Sequence, residues 1–210
     1  MERFGFSFSP VMACLVLLVF FVSCGVRIQD ETLLLTTDDH VFSSWDYIRN
    51  RPDEGCYTRA LHRAIVDVPP TGVAIMGLGG GILPARLAKR GARSHVVEWS
   101  GEVIATYRDV FEPMLSHWSP NVSTHVTVQH ADALVETYDS FDVVVVDVPQ
   151  CYRDVSPECV GALKRLRSAG KRLVVNVWYY NAERFASEMG GDEEGTWVDR
   201  SENGVLVWAT

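Results

Sequence analysis

From residue 73 onward, short apolar runs alternate with amphipathic stretches along the chain. Apolar runs of this length are strand candidates, and stretches with apolar positions three and four residues apart are helix candidates. The predicted strands span 73–76, 94–99, 125–130, 141–148 and 172–178, and the predicted helices span 83–90, 102–115, 158–168 and 181–189. Because each strand candidate is apolar throughout, the pattern predicts an α/β fold with a mostly parallel twisted sheet and helices on both faces.

The last fifteen residues follow a different pattern. Segments 196–200 and 205–210 are strand-like and flank Asn203-Gly204, a dipeptide that is typical of tight hairpin turns. The sequence therefore predicts a C-terminal antiparallel hairpin at one edge of the sheet. Five alternating units followed by a hairpin differ from the nicotinamide dehydrogenase arrangement, which repeats a second parallel half.

The chain ahead of residue 71 is less regular. Residues 4–26 contain no charged side chain, and this predicts a signal or membrane-anchor segment over residues 1–26, with a wrongly assigned start as the alternative. Residues 27–70 form an N-terminal extension with a strand at Leu33–Leu35 and a helix over 57–66. Residues 71–210 are then the α/β domain.

Composition narrows the classes of partner. The formal net charge is -8, and such a surface repels phosphate backbones, so no nucleic acid is expected as a partner. The same charge would suit a cationic substrate. The five cysteines form no Cys-x-x-Cys pair and no zinc spacing, so no metal site is predicted. We interpret Cys56, Cys151 and Cys159 as mostly reduced thiols or small core residues.

The stretch IMGLGGGILP, residues 75–84, places four glycines directly after a buried strand. Such a turn lets a ligand approach the backbone and the free N–H groups of the following helix, although a tight structural turn is the alternative. Ile82 stands where the dinucleotide motif has its third glycine. The phosphate-binding loop of nucleoside triphosphatases is excluded, because it needs Gly-Lys-Ser/Thr and this chain has Leu83 and Pro84 after the glycines.

Acidic residues follow the next three predicted strands. Glu98 lies 21 residues after Gly77, the spacing of a carboxylate that accepts hydrogen bonds from ribose hydroxyls. Asp132 follows the third strand, where it could accept a bond from an adenine amine. Asp147 ends the most apolar strand, at the edge where open α/β sheets bind ligands, and could act as a general base or bind a cation. The alternatives are an exposed charge at the strand end for Glu98, a solvated loop residue for Asp132, and a helix cap or loop contact for Asp147.

In this order, these features resemble the class I S-adenosylmethionine-dependent methyltransferases, and more narrowly the spermidine synthase-like superfamily, in its branch related to elongation-factor lysine methyltransferases. The matching segments are GLGGGILP (77–84), VVEWSGEVI (96–104), ADAL (131–134), FDVVVVDV (141–148), SPECV (156–160) and LVVNV (173–177). The resemblance implies a Rossmann-like class I methyltransferase fold that binds S-adenosylmethionine or its decarboxylated form. It implies cofactor contacts from Gly77, Gly79, Gly80, Gly81, Glu98, Asp132 and Ala133, and places Asp147 at the reaction site.

The sequence departs from this superfamily at several positions. Aminopropyl-transferring members carry a second aspartate where this chain has Gln150, and their N-terminal β-domain has little room in residues 27–55. The segment DVPQ also differs from the Asp-Pro-Pro-Tyr type of motif in nucleic-acid amino-methyltransferases. Trp99 follows the ribose glutamate where an acidic or small residue is common.

These observations favour a methyltransferase that acts on a small-molecule amine or a protein side chain. Tyr152 and Asn176 are rim candidates by position alone. The alternatives are a polyamine aminopropyltransferase and a non-catalytic, membrane-anchored relative. We expect a location in the secretory pathway or at a membrane, through residues 4–26, or in the cytoplasm if that segment is not used. A homodimer is left open.

Overall fold

The computed structural model describes residues 25–29, 32–37, 40–46, 49–52, 58–65, 72–178, 181–190, 196–199 and 203–208. Its strands are β1 Gly25–Gln29, β2 Thr32–Thr37, β3 His40–Asp46, β4 Arg51–Pro52, β5 Val73–Met76, β6 Ser94–Glu98, β7 Val126–His130, β8 Val143–Val146, β9 Arg172–Trp178, β10 Thr196–Asp199 and β11 Asn203–Trp208. Its helices are α1 Thr58–Ala64, α2 Ile82–Lys89, α3 Gly101–Thr106, α4 Glu112–Trp118, α5 Val122–His125, α6 Pro149–Tyr152, α7 Pro157–Ser168 and α8 Ala182–Met189. The segment Tyr107–Phe111, between α3 and α4, winds as a π-helix.

The larger sheet has seven strands in the order β10-β11-β9-β8-β5-β6-β7. Strands β9, β8, β5, β6 and β7 pair in parallel, and β11 joins β9 antiparallel with β10 at the edge. The predicted parallel sheet and the terminal hairpin are confirmed, but the predicted Asn203-Gly204 turn is wrong, because both residues lie in β11 and pair with β9. Strand β5 lies between β6 and β8, so the chain order reverses there, and ligands of open α/β sheets bind at the carboxyl ends of strands at such a point.

Both faces of this sheet are buried. Val73 and Ile75 of β5 belong to one apolar cluster, and the alternate residues Ala74 and Met76 belong to the other. This follows from the two-residue period of a strand, and it explains why the central strands β5 and β8 are unbroken apolar runs. Helices α1, α2 and α3 contribute to the first cluster, and α7 and α8 contribute to the second.

The smaller sheet is antiparallel, with the order β1-β2-β3-β4. Its side chains Leu33 and Trp45 are fully buried and belong to the same cluster as Ile75, so this sheet packs on the first face of the domain. The predicted strand at Leu33–Leu35 is confirmed as part of β2. We expected residues 27–55 to have little room for the N-terminal β-domain of the aminopropyl-transferring enzymes. The four strands of this sheet nevertheless lie between residues 25 and 52, because strands this short need few residues.

The predicted signal or anchor segment, residues 1–26, lies outside the described residues except for Gly25 and Val26, which begin β1. Among the residues that the structure describes, every helix is too short or too polar to cross a bilayer.

A disulfide joins Cys151 in α6 to Cys159 in α7, with Cα atoms 5.4 Å apart. Our interpretation of these two residues as reduced thiols is therefore wrong, and Cys56 lies outside the described residues. Pro149 and Pro157 each open a short helix, and the chain turns between them through Val155 at a φ of 46°. That reversal brings together two cysteines whose sequence spacing carries no signal.

We expect the double variant Cys151→Ser/Cys159→Ser to lose about 2–3 kcal/mol of unfolding free energy, because the link closes a short loop in the unfolded chain. Urea denaturation under non-reducing conditions measures the loss. Reduced wild-type protein should unfold at the midpoint of the double variant. Equal midpoints for the oxidised and reduced wild-type protein would contradict this expectation.

Candidate functional site

The glycine loop leaves β5 at the reversal point of the sheet. The backbone N–H of Gly77 still donates to the carbonyl of Val97 at 2.8 Å, so the loop begins as a continuation of the sheet. Gly77 has a φ of 95°, and a Cβ atom there would lie 2.3 Å from the carbonyl oxygen of Asp147. Only glycine fits at this position, because both the backbone conformation and the close approach exclude a side chain.

Two of the loop glycines face protein rather than the cleft. The N–H of Gly80 donates to Oγ of Ser43 at 2.9 Å, which ties the loop to the N-terminal sheet. A Cβ atom on Gly81, whose φ is 73°, would lie 2.3 Å from the ring of Tyr107 in the π-helical segment. Gly79 is half-buried, with a φ of 51°. The loop thus owes part of its glycine content to packing.

Glu98 joins the two loops beside the cleft. Its Oε2 accepts from the N–H of Leu78 at 2.9 Å, and its Oε1 accepts from the N–H of Ser100 at 2.9 Å. The residue is only 7% exposed, so these two bonds compensate a carboxylate that lies mostly out of water. Each oxygen has a second lone-pair direction, so the carboxylate can still accept from a ligand.

A cleft opens at the carboxyl ends of β5, β6 and β8. Its lining residues are Gly77, Val97, Glu98, Trp99, Asp132, Ala133, Leu134, Val148 and Gln150. Four of the predicted site residues are therefore brought together there, whereas Gly79, Gly80, Gly81 and Asp147 do not line it. The cofactor contacts of the seven predicted residues and the catalytic role of Asp147 stay predictions. Asp132 is exposed, and its Oδ1 accepts from the N–H of Leu134 at 2.9 Å, which fixes the turn after β7.

Asp147 lies one strand further along the same edge. Its N–H donates to the carbonyl of Met76 at 2.9 Å, and its Oδ1 accepts from the side-chain amide of Asn176 at 2.8 Å. Asn176, on β9, was a rim candidate by position alone, and the sequence gave no reason to pair it with Asp147. The signal that would find it is the parallel register, in which Val146 pairs with Val175 and so places the next residues side by side.

Tyr152 in α6 is 5% exposed. Its burial raises the pKa of the phenol far above the usual range, and the negative charge of Asp147 raises the pKa further. The hydroxyl is therefore protonated at neutral pH, and Tyr152 can donate a hydrogen bond but cannot act as a base there. Among the described residues, no three His, Cys, Asp or Glu side chains cluster into a metal site.

The cleft therefore combines apolar walls with two carboxylates, and its described lining contains no Lys or Arg. Carboxylates repel phosphate groups and accept hydrogen bonds from hydroxyl and amine donors. Such a site suits an uncharged or cationic nucleoside better than a dinucleotide.

Several solved structures that align with this chain are methyltransferases. Magnesium protoporphyrin IX methyltransferase from Synechocystis, with bound S-adenosylmethionine, aligns at 16% identity and a TM-score of 0.52 over 73% of this chain and 80% of that one. A dimethyladenosine transferase from Plasmodium falciparum aligns at 15% identity and a TM-score of 0.53 over 74% of this chain and 60% of that one.

A third structure is the tRNA (uracil-54, C5)-methyltransferase of Pyrococcus abyssi with S-adenosylhomocysteine, at 20% identity and a TM-score of 0.50, over 86% of this chain and 44% of that one. No family model and no curated protein matches the sequence. At these identities the likeness shows the fold alone: this chain has the Rossmann-like fold of class I methyltransferases.

We expect Gly81→Ala to cost about 3 kcal/mol of unfolding free energy, because the new methyl group meets the Tyr107 ring in a backbone conformation that alanine disfavours. Gly91→Ala is the matched control, since Gly91 also has a positive φ but no atom within 4 Å of its Cβ position. That variant should lose only about 1 kcal/mol. Urea denaturation of both proteins measures the difference, and equal losses would contradict the packing role of Gly81.

Proposed function

We propose that this chain binds S-adenosylmethionine and transfers its methyl group to an amine nitrogen, on a small molecule or a protein side chain. The observation that carries the proposal is the position of Glu98. This buried carboxylate lines the cleft at the reversal point of the sheet and keeps an acceptor direction on each oxygen. The ribose of an adenosyl group offers two adjacent hydroxyl donors to such a carboxylate.

The other lining residues fit an adenosyl group as well. Trp99 is 66% exposed at the cleft, so its indole face is open to a planar base. Asp132, next to Ala133, offers an acceptor for the exocyclic amine of adenine. The absence of Lys and Arg from the described lining disfavours a phosphate-bearing cofactor and is compatible with a sulfonium cation.

S-adenosylmethionine supplies a methyl group that is electrophilic because it is bonded to a positively charged sulfur. The protein's contribution is then alignment of the acceptor and removal of its proton. Asp147 follows β8 and directly precedes Val148 of the cleft lining, and its carboxylate can take up the proton that the nitrogen loses after methyl transfer. The hydrogen bond from Asn176 fixes the orientation of that carboxylate.

The two alternatives, aminopropyl transfer and a non-catalytic relative, make different predictions from this proposal. Aminopropyl transfer is disfavoured by Gln150, which replaces the second polyamine-binding carboxylate of the resembling enzymes. The N-terminal sheet no longer counts against it, since residues 25–52 do form four strands. A non-catalytic relative would keep the cleft and lack turnover. The tRNA named for one structural neighbour is disfavoured as an acceptor here by the net charge of -8.

The disulfide bears on the cellular compartment in which the protein resides. Disulfides persist in oxidising compartments, so the Cys151–Cys159 link and the apolar segment over residues 4–26 together support a place in the secretory pathway or at a membrane. An enzyme in such a compartment depends on delivery of its cofactor there.

We expect wild-type protein to bind S-adenosylmethionine in titration calorimetry, and Glu98→Gln to bind it at least tenfold more weakly. The amide replaces one acceptor oxygen with a donor, so it loses a ribose contact and sets an N–H group against a backbone N–H. Glu188→Gln, an exposed change on α8, is the matched control and should leave the affinity unchanged.

The same titrations separate the alternatives. Tighter binding of decarboxylated S-adenosylmethionine than of the intact form would favour aminopropyl transfer. Binding of the cofactor without methylation of any amine tested would favour the non-catalytic relative. Binding of NAD but of neither adenosyl compound would contradict the proposal.

A further inference from the structure

Asn176 is a buried amide with a hydrogen-bond partner at only one end. It is 2% exposed, and its Nδ2 donates to Oδ1 of Asp147 at 2.8 Å. Its own Oδ1 is buried and has no partner among the residues that the structure describes. A buried acceptor without a partner carries a free-energy penalty, and such groups in folded proteins call for an explanation.

The position of Asn176 suggests what that explanation is. It lies near the carboxyl end of β9 and shares a face of the strand with Val174, because side chains alternate along a strand. Val174 belongs to the core cluster that also contains Ile65, beside α1. The hydrogen bond of Asn176 to Asp147 places the amide at the carboxyl edge of the sheet, beside the residue that precedes Val148 of the cleft lining.

A second buried asparagine shows the contrasting, purely structural arrangement. Asn181, before α8, is 8% exposed, and its Nδ2 donates to the carbonyls of Tyr152 and Arg153. Its amide thereby holds the end of α6. The bonds of Asn181 are explained by the fold alone, whereas the free oxygen of Asn176 is not.

We infer that Asn176 is a specificity-determining residue, which orients Asp147 through Nδ2 and accepts an N–H hydrogen of the acceptor nitrogen through Oδ1. This inference rests on the proposed methyltransferase function and adds to it a way of selecting the acceptor. A neutral primary amine has two N–H hydrogens and one lone pair. One hydrogen binds Asn176, the other faces Asp147, and the lone pair is left for the methyl group.

These groups account for each bond and each proton of the methyl transfer. The nitrogen–carbon bond forms as the sulfur–carbon bond of the cofactor breaks, the proton of the resulting ammonium passes to Asp147, and S-adenosylhomocysteine leaves. The methylated product has one N–H hydrogen fewer, so in its neutral form one of the two acceptors is unpaired when it binds again. The site therefore selects the first methylation of a primary amine over later ones.

The test uses two probe amines, butylamine and Nα-acetyl-lysine amide, with the trimethylammonium form of each as a control that keeps the charge and has no N–H donor. Calorimetry is done with the full chain saturated with S-adenosylhomocysteine. Wild-type protein should bind the primary amine at least tenfold more tightly than its trimethylated counterpart. A preference for the lysine compound over butylamine would identify a protein side chain as the acceptor, and the reverse would identify a free amine.

The variant Asn176→Leu has nearly the same shape and should reduce that tenfold ratio to about one, while binding of S-adenosylmethionine stays unchanged. Its thermal midpoint should change by only a few degrees, because removal of the unsatisfied oxygen offsets the loss of the hydrogen bond to Asp147. Asn181→Leu is the matched control, and it should lower the midpoint by about 4 °C or more and keep the ratio.

These readouts distinguish failure of the proposed function from failure of the inference on Asn176. If wild-type protein fails to bind S-adenosylhomocysteine, the proposed function fails. If it binds the cofactor product, the inference on Asn176 is overturned by equal affinity for the primary and trimethylated amines, by no binding of either amine, or by an unchanged ratio in Asn176→Leu. A large fall in the thermal midpoint of Asn176→Leu, with the ratio kept, would show a structural role instead.

Discussion

The cleft depends on one buried carboxylate that accepts from two backbone N–H groups. Glu98 bonds to Leu78 in the glycine loop and to Ser100 at the start of α3, so one side chain fixes the relative position of both loops. Neither loop carries another side chain that performs this task in the described hydrogen bonds. The same carboxylate lines the cleft. In the proposed function, one side chain therefore both orders the loops and binds the cofactor.

The sheet order determines where that carboxylate lies. Strand β5 is flanked by β6 and β8, and the loops after these strands diverge to opposite sides of the sheet. Glu98 follows β6 on one side, and Asp147 follows β8 on the other. The two carboxylates thus occupy separate parts of one edge, which allows one of them to hold a cofactor while the other faces an acceptor. The N-terminal sheet completes the arrangement, since Ser43 holds the loop at Gly80 from above the first face.

The sequence was sufficient for the α/β domain because its strands are buried on both faces and read as unbroken apolar runs. Acidic residues at the ends of those runs were visible for the same reason. The strands β1, β3 and β4 were missed, since their apolar and polar residues do not alternate regularly. The Asp147–Asn176 pair and the Ser43–Gly80 bond join residues far apart in sequence and depend on register and packing. The roles of Gly80 and Gly81 were not predictable either, because a glycine has no side chain to show whether a ligand or a neighbouring ring requires the space.

The contact between Gly81 and Tyr107 also has a consequence for how this sequence can vary through evolution. The π-helical turn adds the equivalent of one residue to a helix, and it sets the face on which the Tyr107 ring lies. In relatives without that turn and that ring, only the positive φ of residue 81 would oppose a methyl group there. We therefore expect the residue at 81, the aromatic residue at 107 and the length of the helix to change together. Changes at these positions would then trace lineages of the fold more faithfully than the glycine motif by itself.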